Sequence, residues 1–203
     1  MKSPQTGEQA ILQLARKRPL LRARDLAQAG LPTMALTRLV SAGQLERVAR
    51  GVYSLPNQPI SENRSLAEVA IQVPRGVICL VSALRVHDIG TQAPHEVWLA
   101  IPHQMLSPRL SQPALRVIRM SGPSLTEGID RLKVDGVEVP VFNAAKTIAD
   151  CFKFRNKIGL DVALEALREG WSKRKVTMDD LWRYAGINRV ANVMRPYLEA
   201  ITA

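Results

Sequence analysis

Thr33, Thr37 and Arg38 fall on one side of a helical pattern, and Arg47 and Arg50 follow on or beside a hairpin turn. Short hydroxyl side chains let a helix approach base edges, and an arginine fork matches the paired acceptors of guanine in the major groove. Cations at a hairpin tip meet phosphate or the minor groove. This set recognises DNA; it breaks no bonds. The competing chemistry would be that of a metal-dependent nuclease, for which Asp135 and Glu138 flank a strand. Glu138 is followed by Val139-Pro140, however, and the lysine that would neutralise phosphate is missing. Asp161, Glu165 and Glu169 repeat at helical spacing beside Lys157 and Arg168, the pattern of a solvated, ion-paired face. Asp179 and Asp180 follow Thr177 in a first helical turn, where acids complement the helix dipole.

Other chemistry has less support. His87, His95 and His103 are too widely spaced for a His-Glu-x-x-His zinc site, and Cys79 and Cys151 lack paired zinc spacing. Neither a phosphate-binding Gly-x-x-x-x-Gly-Lys loop nor a Gly-x-Gly-x-x-Gly turn occurs. The expectation is a protein without metal or cofactor that is not an enzyme.

The elements that position the DNA-reading residues can be read in order. Arg24 to Ala29 is a short helical run stopped by Gly30, and Pro32 reads as the first residue of a second helix. In that helix Leu36, Leu39 and Val40 form an apolar stripe opposite Thr33, Thr37, Arg38 and Ser41, with Met34 near the edge; Gly43 ends it. Leu45 to Val48 and Val52 to Leu55 are β-prone runs joined through Ala49-Arg50-Gly51. Gln9 to Lys17, carrying Ile11, Leu12, Leu14 and Ala15, supplies a helix behind them. Residues 1–56 therefore read as a winged helix-turn-helix with a core of Ile11, Leu14, Leu26, Leu36, Leu39 and Val40. The proline-bracketed stretch Pro56-Asn57-Gln58-Pro59 reads as a linker.

Residues 60–203 read as an α+β domain with a mixed sheet covered by helices. Ser61 is expected to cap a helix ending at Pro74. Strands are expected at Val77–Leu80, Glu96–Ile101, Leu115–Met120, Arg131–Val134 and Val137–Phe142, the last two across Asp135-Gly136, with a helix from Ser82 to His87. Asn143 caps the first of four closing helices, over 144–155, 158–170, 177–185 and 189–201. Between the second and third of these, Lys173, Arg174 and Lys175 concentrate charge.

Composition supports a polyanionic partner. The net charge is +10 with a pI near 10.2. Residues 1–56 hold nine Lys or Arg against three acids, so basic density lies with the winged helix. Two cysteines suit buried reduced thiols in the cytoplasm. Met1 to Ala10 lacks a basic-then-apolar signal, and no apolar run nears the ~18 residues of a membrane span. A soluble, cytoplasmic protein is expected.

The wing Leu45-Glu-Arg-Val-Ala-Arg-Gly-Val-Tyr-Ser-Leu55 resembles that of AbiEi-type antitoxins of abortive-infection, type IV toxin–antitoxin systems. So does the order of Leu80-Val81-Ser82-Ala83-Leu84, Val97-Trp98-Leu99-Ala100-Ile101-Pro102 and Lys146-Thr147-Ile148-Ala149-Asp150-Cys151 in the second domain. The resemblance implies an N-terminal winged helix that represses its own operon at promoter repeats. It also implies a C-terminal domain that counteracts a nucleotidyltransferase toxin. Carried onto this chain, the DNA contacts are Thr33, Thr37, Arg38, Arg47 and Arg50. Ser82 and Asp150 become a helix start and a structural polar residue. No residue motif for antitoxin action comes with the resemblance; Lys173, Arg174 and Lys175 are the candidate surface. A plain transcriptional regulator with a ligand-sensing second domain, and a DNA-binding nuclease, remain the alternative readings.

Overall fold

The structure is a computed structural model that describes residues 7–57 and 61–202. The chain divides into two compact units, Met1–Glu68 with Lys133–Val137, and Val69–Leu132 with Glu138–Ala203. Of the expected linker, Pro56 and Asn57 form a turn, while Gln58 and Pro59 lie outside the described residues.

The first unit begins with α1 (Gly7–Lys17), β1 (Leu21–Arg22), α2 (Ala23–Gln28), α3 (Ala35–Ser41), β2 (Glu46–Ala49) and β3 (Val52–Ser54). Ile11 and Ala15 of α1, Leu21, Leu26, Leu45 and the Ala35, Leu36 and Leu39 stripe of α3 make one buried cluster, with Leu14 and Val40 at its margin. The three strands form a small antiparallel sheet in the order β1-β3-β2. The helix that the sequence starts at Pro32 begins instead at Ala35. The Pro32 carbonyl accepts from Ala35 N–H at 3.2 Å and that of Thr33 from Leu36 N–H at 3.1 Å, so these residues close a tight three-residue turn ahead of the helix.

The chain continues through α4 (Arg64–Gln72), β4 (Val77–Ile78), α5 (Leu80–Val86), β5 (Val97–Pro102), β6 (Leu115–Met120), α6 (Pro123–Thr126), β7 (Ile129–Val134) and β8 (Val137–Phe142). Helices α7 (Ala144–Lys153), α8 (Arg155–Ile158), α9 (Leu160–Ser172), α10 (Met178–Ile187) and α11 (Ala191–Thr202) close it. The sheet order is β6-β5-β4-β8-β7; β4 runs antiparallel to β5 and parallel to β8, and β5 parallel to β6. The mixed sheet and covering helices are those of an α+β fold. Ser61 is not the cap the sequence suggests: α4 starts at Arg64, and the Ser61 hydroxyl donates to Asp135 at 2.9 Å. The strand read as Val77–Leu80 stops at Ile78, because Leu80 takes a positive φ of 46° and opens α5. Asn143 and Thr177 do cap α7 and α10, accepting from the backbone of Lys146 and Asp180.

One polar network crosses the apolar core of the second unit. Lys146 and Asp150, one turn apart on α7, are both fully buried, with Nζ 2.5 and 2.6 Å from the two carboxylate oxygens. The ammonium also lies 4.1 Å from the Phe142 ring centroid. Asn188, at the end of α10, donates to Asp150 at 2.7 Å and accepts from Ser124 of α6 at 3.1 Å. Burial pushes the Asp150 carboxyl up, opposed by Lys146 and by the Asn188 hydrogen bond. Asp150→Ala is expected to lower stability by about 3–5 kcal/mol, since it strands a buried ammonium, whereas the Lys146→Met/Asp150→Leu pair should recover most of that loss. Urea denaturation of the three proteins measures it; equal losses in single and double variants would refute it.

Candidate nucleic-acid interface

Both helices of the helix-turn-helix close in the same way. Gly30 and Gly43 take φ of +66° and +67°, and the residue after each reaches back: Leu31 N–H donates to Leu26 at 2.9 Å and Gln44 N–H to Leu39 at 2.9 Å. These are Schellman closures, which need a left-handed residue that glycine supplies without steric penalty. The first sets the angle between α2 and α3; the second turns the chain from α3 into the wing.

The start of α2 is pinned by charge. Arg22 donates through Nε and Nη2 to the buried Asp25 carboxylate at 2.7–3.1 Å, Arg22 N–H adds a bond at 2.9 Å, and Arg18 stands 3.6 Å away. Next to this junction Ala23 N–H donates to the carbonyl of Gly51 at the wing tip at 3.0 Å. The wing is thus bonded directly to the helix pair. Within the hairpin the register shifts between Arg47 and Ala49, a bulge at Val48, and Arg50 and Gly51 form the tip.

Each predicted DNA contact is exposed. Thr33 stands in the turn before α3, Thr37 and Arg38 on its outer face, Arg47 on β2 and Arg50 at the tip. Two features escape the sequence reading. Met34 is 83% exposed beside Thr37 and Arg38, although its position three and four residues before them already puts it on their face. Arg38 Nε lies 3.4 Å from Glu8 of α1, a contact between residues far apart in the chain. Among the described residues Arg47 and Arg50 have no ion-pair partner.

The basic loop of the second unit is differently employed. Lys173 donates to Glu169 at 2.7 Å and to the Asp88 carbonyl at 3.1 Å; Lys175 donates to the His87 carbonyl, and to the Asp88 carbonyl at 2.9 Å. Both lysines therefore bind carbonyls of the two residues that close α5, His87 and Asp88. The Asp88 carboxyl is held below its ordinary value by the Lys175 hydrogen bond and by the charges of Lys173 and Lys175. Arg174 is exposed at φ +53°, closing α9. On the acidic face of α9, Glu165 accepts from Thr91 and Glu169 from Gly90 N–H, so these carboxylates dock a turn. Ser82 Oγ accepts from Trp98 N–H at 2.9 Å. Among the described residues no three His, Cys, Asp or Glu side chains gather to hold a metal ion.

A helix pair joined by a glycine-closed turn and bonded to a bulged, arginine-tipped hairpin is a winged helix-turn-helix. Residues 9–56 match the family described as transcriptional regulator, AbiEi antitoxin. The match covers α1 through the wing and ends before α4, and it aligns that unit with regulators and antitoxins. Among solved structures, the RV2827C protein from Mycobacterium tuberculosis shares the fold, with a TM-score of 0.60 at 16% identity over 92% of this chain and 73% of that one. No curated protein sequence matches the chain. Among the described residues no helix is long and apolar enough to cross a membrane.

Burial acts to raise the Asp25 carboxyl, but the side-chain and backbone hydrogen bonds from Arg22 and the charges of Arg22 and Arg18 outweigh it and hold Asp25 below its ordinary value. Its contribution is therefore present above the unfolded carboxylate value of about 3.9 and is lost as pH falls through the lower folded value. Asp25→Asn is expected to destabilise the winged helix by about 1–3 kcal/mol at neutral pH and to flatten its acid-unfolding limb. Amide signals of α2 followed during acid titration report this; parallel acid limbs in the two proteins would contradict it.

Proposed function

We propose that the chain is a cytoplasmic antitoxin of a type IV toxin–antitoxin system, which represses its own operon through the winged helix and counteracts a nucleotidyltransferase toxin through the second domain. The observation that carries this reading is the exposed Thr33-Met34-Thr37-Arg38 surface set beside two unpaired wing arginines, in a unit that matches the AbiEi regulators. Thr33, Thr37 and Arg38 read base edges in a major groove, and Arg47 and Arg50 hold the flanking phosphates. One unit this small makes a modest contact, so two copies on paired promoter repeats supply the affinity. The division of labour follows domains 1–56 and 60–203.

Arg38→Ala should cost about 1–3 kcal/mol on the cognate promoter and relax sequence preference, whereas Arg50→Ala should weaken all DNA alike and reduce the salt slope by about one. Shift assays on the upstream promoter at several salt concentrations check this; unchanged binding in the double variant would sink the DNA reading.

Of the proposed antitoxin surface, Lys173, Arg174 and Lys175, only Arg174 is unencumbered by capping bonds. Arg174→Gly should raise stability by about 0.5–1 kcal/mol, because the left-handed conformation costs a side chain about 1–2 kcal/mol and glycine's extra unfolded freedom returns part of that. The same variant should lose rescue from the cognate toxin in co-expression while retaining repression. Full rescue by a stabilised Arg174→Gly protein would remove this loop from the antitoxin surface.

A further inference from the structure

Strands β5 and β6 run in parallel and end opposite each other, Pro102 against Met120. Strand β4 is antiparallel to β5 and begins at Val77, which brings Arg75 to the same end. There the second unit has a cavity of about 570 Å³, with Arg75, His103, Gln104 and Ser121 on its polar side and Met105 and Met120 among its apolar lining. The carboxyl ends of parallel strands are where open α/β sheets bind ligands.

The rim is held in shape by a group outside the lining. Arg119 donates to the carbonyls of His103 at 2.7 Å and Met105 at 2.5 Å and to Ser107 Oγ at 3.1 Å, while His103 N–H donates to Met120 at 3.0 Å. Loop 103–107 is thereby fixed. The side chains of Arg75, His103, Gln104 and Ser121, by contrast, have no bonding partner among the described residues. No aspartate or glutamate lines the cavity.

We infer that this cavity binds a nucleoside phosphate. An anion is favoured by Arg75, an exposed guanidinium fork without a partner among the described residues that matches two phosphate oxygens, with His103 in the same lining as a further donor. A flat base would rest on half-buried Met105, whose polarizable sulfur packs against aromatic faces, with the buried Met120 behind it. Gln104 and Ser121 offer donors and acceptors to a base edge or ribose. The volume falls within the roughly 300–1,000 Å³ of ligand pockets, and inorganic phosphate alone would leave the methionine side unused. The group can come from a free nucleotide or from the phosphorylated end of an RNA strand. The inference stands apart from promoter binding.

Isothermal titration calorimetry on the full chain carrying Arg38→Ala and Arg50→Ala keeps winged-helix contacts out of the readout. The probes are ATP, GTP, CTP, UTP, adenosine, inorganic phosphate and short single-stranded RNA with a terminal phosphate. At least one nucleotide or the RNA end should bind once per chain, about tenfold or more tightly than phosphate or adenosine, and Arg75→Ala should weaken it about tenfold. Binding by free nucleotides assigns the mononucleotide source; binding by the RNA end alone, with the same loss in Arg75→Ala, assigns RNA. Phosphate binding as tightly as any nucleotide, no binding by any probe, or an Arg75→Ala protein with unchanged affinity would overturn the inference. Arg38, Arg50 and Arg75 are exposed, so the variants keep the fold, and circular dichroism verifies that.

Discussion

The second unit is organised around the buried pair of Lys146 and Asp150. Two charges removed from water lose hydration that their mutual attraction only partly returns, so such a pair adds little net stability over an apolar equivalent. Its effect is on geometry. Asp150 reaches Asn188 at the end of α10, Asn188 reaches Ser124 in α6, and Lys146 lies over Phe142 at the end of β8. A slip of one residue between α7 and α10 would leave a buried carboxylate or amide unsatisfied, which an apolar seam of Ile148, Leu181 and Ala185 alone would not penalise so sharply. The ends of β8, α6 and α10 are thus fixed by a polar constraint, and apolar packing fills in around it.

How much of this was legible in the sequence depends on where the deciding partner sits. Leu115–Met120 and Val137–Phe142 are strands over the residues that alternation and the Asp135-Gly136 turn indicate, because those signals are local. The cap at Asn143 is local too. Leu21–Arg22 has no local signature: it is a strand only because Val52 and Tyr53 lie opposite. Ser61 has the chemistry of a cap, but its hydroxyl goes to Asp135, 74 residues away. The outer face of α3 was legible from its apolar stripe, whereas the Glu8 contact of Arg38 was not, since nothing near Arg38 announces it.

That contact bears on how Arg38 would work. An exposed pair at 3.4 Å, with side chains 73% and 42% accessible, contributes about 0–1 kcal/mol. Glu8 therefore holds the guanidinium over the helix face without binding it tightly. On the proposed reading, a guanine edge or a phosphate would offer a bidentate bond in place of this weak exposed pair, so exchange of Glu8 for DNA would be downhill. On that reading an acid beside Arg38 would also disfavour loose phosphate contacts at that position, leaving Arg47 and Arg50, which have no ion-pair partner among the described residues, to hold the backbone.

The wing arginines and the lysines of loop 173–175 are used in opposite ways, and helix closure is the reason. In the helix-turn-helix, glycines at 30 and 43 close α2 and α3, and no basic side chain is needed at their ends. Arg47 and Arg50 stay exposed. In the second unit the left-handed closing positions are Asp88, Arg174 and Arg189, and the carbonyls at the end of α5 are met by Lys173 and Lys175. The charges of Lys173 and Lys175 are then engaged inside the fold, while Arg174 stays exposed. A count of Lys and Arg along the chain would make residues 173–175 look as suited to a polyanion as the wing. The structure separates them, because a lysine holding two backbone carbonyls must release both before it can meet a phosphate, while an arginine at the wing tip has nothing to release.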